Sequence, residues 1–341
     1  MKLKLYFLGF DGLSDNILFN PAHKGRWPAW ERLYKKGIYG KSLCETKYTF
    51  TGPSWTSIYT GQPAETHGIT DLWGRPVEGS RSFRMVKNPY AWDILNAHNL
   101  SCGVVTMPIT YPAKTINKFM ISGFPSPKLS FTGDIKVSDD FIVDHSQTIR
   151  RSRKIERVGY SFHDRVSPEE DIEMLKSSEL KKAEVVGLLL KQQSVDVLFV
   201  QYSCLDRIGH ELNNYARRGV TFDYEKVLEM YDWVDRVLLP RVLGIESEWL
   251  VIVSDHGWQK LPSPVDTPRV WAKHYPGGVF MLSGADIPAN ILSEAQNIDI
   301  LPTMLETLGI PVPKEITGRS VLTRQSEIDE VNATLEGLGY I

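Results

Sequence analysis

A chain of 341 residues, 42% hydrophobic and 23% charged, has ample material for a buried core and is long for one domain. A formal net charge of −2 excludes a broad basic face for a nucleic-acid polymer and any strong long-range steering of anions. Three widely spaced cysteines, Cys44, Cys102 and Cys204, read as reduced thiols rather than a disulfide frame.

The first element is the run LKLYFLGF, which stops abruptly at Asp11. Its apolar stretch of about five residues is shorter than the roughly 7–15 of a signal-peptide core. No small-residue cleavage site follows. It reads as a first strand, and the expected location is cytoplasmic, with no membrane partner and no transmembrane run of about eighteen apolar residues. PAWERLYKKG follows with apolar positions at helical spacing and stops at Gly37. Residues 48–61, YTFTGPSWTSIYTG, crowd hydroxyls around Pro53. Which of them does covalent work depends on the rest of the chain.

Between about 112 and 166 the rhythm of elements breaks, and this stretch reads as a small inserted cap. Its basic run, Arg150, Arg151, Arg153, Lys154 and Arg157, reads as a solvated face. A long helix is expected over SPEEDIEMLKSSELKKAEVVGLLLKQQ, acidic early and basic late as the helix dipole favours. Next come a strand, VDVLFVQY, running out towards Asp206, and a helix, YEKVLEMYDWVDRVLLPRVLG. WLVIV then ends at Asp255 and His256, KHYPGGVF puts His274 before another apolar run, and DILPTMLETLG is a last glycine-closed helix.

Short apolar runs that end in polar residues and alternate with helices imply an α/β fold. Its central, mostly parallel sheet is sandwiched by helices in a single domain over residues 1–341, with the cap at 112–166 inserted. Ligands in such sheets bind at the carboxyl ends of strands, where Asp11, Asp206, Asp255 and His256 fall, and His210 and His274 lie next to strand ends. Asp206 and His210, four apart, share one helix face. A lone strand-end Asp is often a helix cap, but the joint occurrence points to metal. Mixed carboxylate and imidazole ligands suit zinc, with manganese or iron as alternatives, and six are about right for two ions.

The blocks FLGFDGL, TGPSWTSIYTGQPAETHGI, YSCLDRIGHEL, VSDHGW, KHYPGGVF and IDILPTMLETLGIPVPKEITGR resemble, in order, those of the alkaline phosphatase superfamily. Within it they resemble the type I phosphodiesterase/nucleotide pyrophosphatase family. The resemblance implies an alkaline phosphatase-like fold and two divalent metal ions. It implies one ion held by Asp206, His210 and His274 and the other by Asp11, Asp255 and His256. It makes Thr51 the nucleophile, reaching one ion or both and preceding a helix with Pro53 in its first turn. Ser54 is then an N-cap, or else an oxyanion helper, and His67 of the HGI motif is structural. Two positions depart from the family: Gly52 stands where an aromatic residue follows the nucleophile, and Leu72 where an asparagine bonds a phosphoryl oxygen.

The expected function is hydrolysis of a small phosphodiester or pyrophosphate, a nucleotide for example, through a covalent phosphoryl- or nucleotidyl-threonine. The alternatives are a phosphomonoesterase or phosphosugar mutase of the same superfamily, or an inactive phosphate-compound binding protein. Oligomeric state is not written in the chain.

Overall fold

The computed structural model describes residues 2–71, 86, 88–124, 130–137, 167–217, 224–260, 272–285 and 287–337. The strands are β1 (Leu3–Phe10), β2 (Ile38–Leu43), β3 (Cys102–Val105), β4 (Lys118–Ile121), β5 (Phe131–Thr132) and β6 (Val197–Tyr202). They continue with β7 (Ser247–Val253), β8 (Gly257–Lys260), β9 (Ala272–Tyr275), β10 (Gly277–Ser283), β11 (Ile291–Leu292) and β12 (Ala295–Gln296). The α-helices are α1 (Asp15–Leu18), α2 (Pro28–Tyr34), α3 (Thr51–Thr60), α4 (Ala64–His67), α5 (Ala91–Ala97) and α6 (Pro168–Gln192). After them come α7 (Cys204–Arg217), α8 (Glu225–Trp233), α9 (Leu239–Val242), α10 (Ile300–Thr307) and α11 (Val321–Gly337).

Ten strands form one sheet in the order β11-β2-β10-β7-β1-β6-β3-β4-β5, with β12 also on β2. The pairs β7–β1, β1–β6, β6–β3 and β3–β4 are parallel, while β10 runs antiparallel to both β7 and β2. The mostly parallel sheet is the expected one. Alternation along β1 explains why both its faces are covered. Tyr6, Leu8 and Phe10 join one apolar cluster, with Leu198, Val200 and Tyr202 of β6. Leu5 and Phe7 join a second, with Val197 and Phe199. Each such side chain, fully buried, contributes about 1.5–3 kcal/mol. Helices α2, α6, α7 and α8 pack on the first face, and α3, α5 and α10 on the second.

The expected long helix is α6, opened by a capping box in which Ser167 accepts from Glu170 N and the Glu170 side chain accepts from Ser167 N. The reading of 112–166 as a cap needs correction at its start. Residues 118–121 and 131–132 are β4 and β5, part of the main sheet, because KFMI is buried along three of its four residues against β3. Residues 138–166, with the basic run, lie outside the described residues, as does Leu72. All three cysteines are buried and unpaired. Among the described residues no helix is long and apolar enough to cross a membrane.

The order β7-β1-β6 sets three parallel strands side by side, so their carboxyl ends open at one place. Asp11 follows β1, Asp255 and His256 follow β7, and Ser203 follows β6 and leads into α7.

Candidate metal centre and nucleophile

All six expected ligands come together there, in two adjoining trios. In each trio, Asp206 with His210 and His274, and Asp11 with Asp255 and His256, the ligand atoms lie within 4.8 Å of one another. His210 Nε2 is 3.4 Å and His274 Nε2 3.5 Å from the Asp206 carboxylate. His256 Nε2 is 3.6 Å from Asp11 and 3.4 Å from Asp255. It is also 3.9 Å from Asp206 Oδ1, so the trios share a wall, and the His256 and His274 rings stack with centroids 4.2 Å apart.

The local chain explains each placement. Gly12 at φ +73° turns β1 out of the sheet, and a Cβ there would stand 2.7 Å from the Asp206 backbone. Only glycine lets the β1 exit and the first turn of α7 approach so closely. His210 lies one helical turn beyond Asp206 and keeps 48% of its side chain exposed, while Asp255 and His256 are wholly buried. His274 comes from β9, which pairs with β8 in a separate two-stranded sheet; Trp258 of β8 packs edge-on against the His274 ring.

Hydrogen bonds fix the tautomers. His274 Nδ1 donates to Thr49 O at 2.9 Å and His256 Nδ1 to Gly257 O at 3.3 Å, since a carbonyl can only accept. With each ring neutral, Nε2 is then the lone-pair donor towards the centre, as in metal sites whose outer partners orient the ring. Asp11 Oδ2 accepts from Gln201 Nε2 at 3.0 Å and Trp55 Nε1 at 3.3 Å. The inward atoms have no partner: Asp11 Oδ1, Asp206 Oδ1, Asp255 Oδ2, His256 Nε2 and His274 Nε2 are all buried without a hydrogen bond. Five orphaned lone-pair atoms in one place are costly to leave unpaired and are the ligand atoms a cation would satisfy.

Electrostatics agree. Burial, and then the Asp206 charge, push Asp11 up to about 8. Burial, then Asp11 and Asp206, hold Asp255 well above the carboxylate range. Burial would raise Asp206 too, but His210 and His274 pull it well below that range. Burial, and then the His274 charge, push His256 down to about 3, leaving the neutral imidazole that metals bind. Added positive charge, such as a pair of dications would supply, would relieve carboxylates so crowded. The donor set fits such ions.

Thr51, 5% exposed, is the first residue of α3. The helix therefore begins at Thr51 rather than after it, with Pro53 in the first turn. Its N-cap is Phe50, not Ser54: Ser54 lies inside the helix, and its hydroxyl donates to Tyr48 O. Because no side chain caps α3, its first N–H groups are left for an anion. The segment around Thr51 is tied to both trios, through the Thr49 carbonyl to His274 and through Trp55 to Asp11. Gly9 allows the second tie, since a Cβ there would meet the Trp55 ring at 2.5 Å. The remaining hydroxyls pack: Thr56 donates to Gly52 O and Thr60 to Thr56 O. His67 is fully buried, accepting from Ile69 N and donating to Ser57 Oγ, so its role is structural.

Sequence reading missed Gln201, Trp55 and the Thr49 carbonyl. One signal was there: Gln201 is a polar residue inside the apolar run VLFVQY.

A family model described as type I phosphodiesterase / nucleotide pyrophosphatase matches residues 5–281. The 2,3-bisphosphoglycerate-independent phosphoglycerate mutase 2 of Methanosarcina barkeri is 26% identical over 131 residues, 38% of this chain and 23% of that protein. The mutase of Thermomicrobium roseum is 29% identical over 137 residues, 37% of this chain and 26% of that protein. The similarity thus spans about a quarter of these curated relatives' length. Among solved structures, a variant of the alkaline phosphatase PafA has a TM-score of 0.62 at 12% identity, covering 95% of this chain and 99% of that one. Murine ectonucleotide pyrophosphatase/phosphodiesterase 5 has a TM-score of 0.56 at 13% identity, covering 91% and 96%. At such identities the likeness shows the fold.

Proposed function

This chain belongs to the type I phosphodiesterase / nucleotide pyrophosphatase family of the alkaline phosphatase superfamily, and from that premise we propose that it is a two-metal hydrolase of small phosphodiesters or pyrophosphates. The observation that carries the reading is the set of five buried, unpartnered ligand atoms in two adjoining trios. Asp206, His210 and His274 would hold one divalent ion and Asp11, Asp255 and His256 the other, with zinc first among the candidates. When bound, the ions supply positive charge to the phosphoryl oxygens and lower the pKa of a hydroxyl beside them.

Thr51 Oγ1 is the nucleophile. Its bond to phosphorus forms as the bond to the leaving oxygen breaks, and the hydroxyl proton passes to solvent. Water then releases the phosphoryl-threonine, restoring the hydroxyl. The uncapped N-terminus of α3 supports a phosphoryl oxygen in both steps. Phe50, directly before Thr51 and 43% exposed, has its ring 6.2 Å from that of His274. It supplies an aromatic face at the rim for a planar leaving or retained group.

Phosphomonoester hydrolysis or mutase-type transfer is the second reading, favoured by the phosphoglycerate mutases among the relatives. A paired assay decides between them: zinc-loaded protein on an aryl phosphodiester and on the corresponding monoester, with Thr51→Ala as control. Diester preference is the expected result. Monoester preference retires the diesterase reading and keeps the metals; turnover unaffected by Thr51→Ala retires the covalent step. A chain that takes up no metal and turns over neither ester is the binding protein instead.

A further inference from the structure

Among the buried charged side chains of helix α6 are an acid and a base that pair with each other. Glu179 and Lys182 are 3% and 7% exposed, with Lys182 Nζ 2.7 Å from Glu179 Oε2. Desolvating such a pair often costs more than the pairing returns, and an apolar pair of similar volume is frequently as stable. Stability alone is therefore a poor reason for it.

The remaining contacts lead to the metal centre. Glu179 Oε1 accepts from Ser203 N at 2.6 Å and from Ser203 Oγ at 3.2 Å. Ser203 stands immediately before α7, and Arg207 N donates to its carbonyl at 3.0 Å. From a neighbouring helix, Glu179 thus makes the bond that a capping-box glutamate makes from within, and sets its charge at the positive end of α7. The first turn of α7 carries Asp206, and the next His210.

Lys182 reaches the same place through β6. Its Nζ donates to Gln201 O at 3.0 Å. The β3–β6 register ends at Val105 and Val200, so this carbonyl lies beyond the last rung; Thr106 Oγ1 is its other donor, at 3.0 Å. The Gln201 side chain in turn holds Asp11 Oδ2.

We propose that Glu179 and Lys182 are a buried positioning pair serving both halves of the centre. Glu179 sets α7, and with it Asp206 and His210. Lys182 sets the end of β6, and with it the hold of Gln201 on Asp11. The inference rests on reading the two trios as metal ligands.

The test is titration of Zn²⁺ into metal-stripped protein against a chromogenic chelator, with urea unfolding of the metal-stripped forms in parallel. The variants are Glu179→Leu/Lys182→Met together, Glu179→Gln, Lys182→Arg and Asp206→Asn. The double variant should unfold at the wild-type urea midpoint or above, yet bind Zn²⁺ about ten- to a hundredfold more weakly. Glu179→Gln should weaken binding in the same direction, and Lys182→Arg should keep more affinity than the double variant. Wild-type Zn²⁺ affinity in the double variant and in Glu179→Gln would overturn the proposal; if the double variant does not fold, Glu179→Gln decides in the same way. Asp206→Asn tests the reading beneath it. Should that variant also bind Zn²⁺ like wild type, the trios are not the ligands, and the failure lies there.

Discussion

Thr51, Gly9 and Phe50 each carry a separate expectation. Replacing Thr51 by Ala removes the attacking oxygen while leaving all six Asp and His ligands in place. Turnover should fall by about a thousandfold or more, with the metal content of the purified protein, read by atomic absorption, unchanged. Gly9→Ala puts a methyl where the Trp55 ring stands 2.5 Å away. Overpacking of this kind costs about 1–3 kcal/mol, and urea unfolding should show it. Phe50→Ala removes an exposed ring that contributes nothing to the core. The KM for an aryl diester should rise about three- to tenfold, the equivalent of about 0.5–1.5 kcal/mol of ring stacking, with kcat little altered. An unchanged KM would remove Phe50 from the substrate site.

Helix α3 depends on its neighbours more than on its own sequence. Its N-terminus has no side-chain cap, and Ser57 is held by His67 at the end of α4. Burial pushes His67 from 6.5 down to about 4. Because Ile69 N donates to its Nδ1, a second ring proton would break that bond. The folded pKa lies below the unfolded one, so the unfolded state takes up the proton first. The stability that neutral His67 contributes is present above pH 6.5 and lost as pH falls from 6.5 towards 4, amounting to about 3 kcal/mol at the end. Urea midpoints measured across that window should drop for wild type and drop less for His67→Asn. Equal slopes would show that His67 does not titrate between the two states. At this scale the sequence was a good guide where a signal is local. The acidic start and basic end of 168–192 marked α6, and glycine marked the stop after α10. It misled where the cause is distant: Ser54 looks like an N-cap, but its hydroxyl goes to Tyr48 O.

For the molecule as a whole, the candidate metal centre is where the three parallel strands β7, β1 and β6 meet the remainder of the fold. Removing bound metal leaves Asp11 and Asp255 as buried carboxylates whose neighbours disfavour their charge. Binding at a thousandfold excess over Kd stabilises by about 4 kcal/mol per site. Thermal unfolding should therefore shift down by several degrees on chelation and recover on adding zinc. A transition indifferent to chelator would mean that the trios hold no structural metal.

Local pattern in the sequence determined the class of the fold, the strands β1, β6 and β7 and the six candidate ligands. Hydrophobic period and abrupt polar stops are properties of neighbours in the chain, so β1, β6 and β7 and the residues Asp11, Asp206 and Asp255 at or beyond their ends were legible without coordinates. Strand order is not local. Only the tertiary structure placed β1 between β7 and β6, and so set His256 3.6 Å from Asp11 and 3.9 Å from Asp206. It also moved 118–121 from an expected cap into the sheet. In the sequence, Glu179 and Lys182 are indistinguishable from a solvated i,i+3 pair, because burial is decided by what packs on a helix rather than by the helix itself.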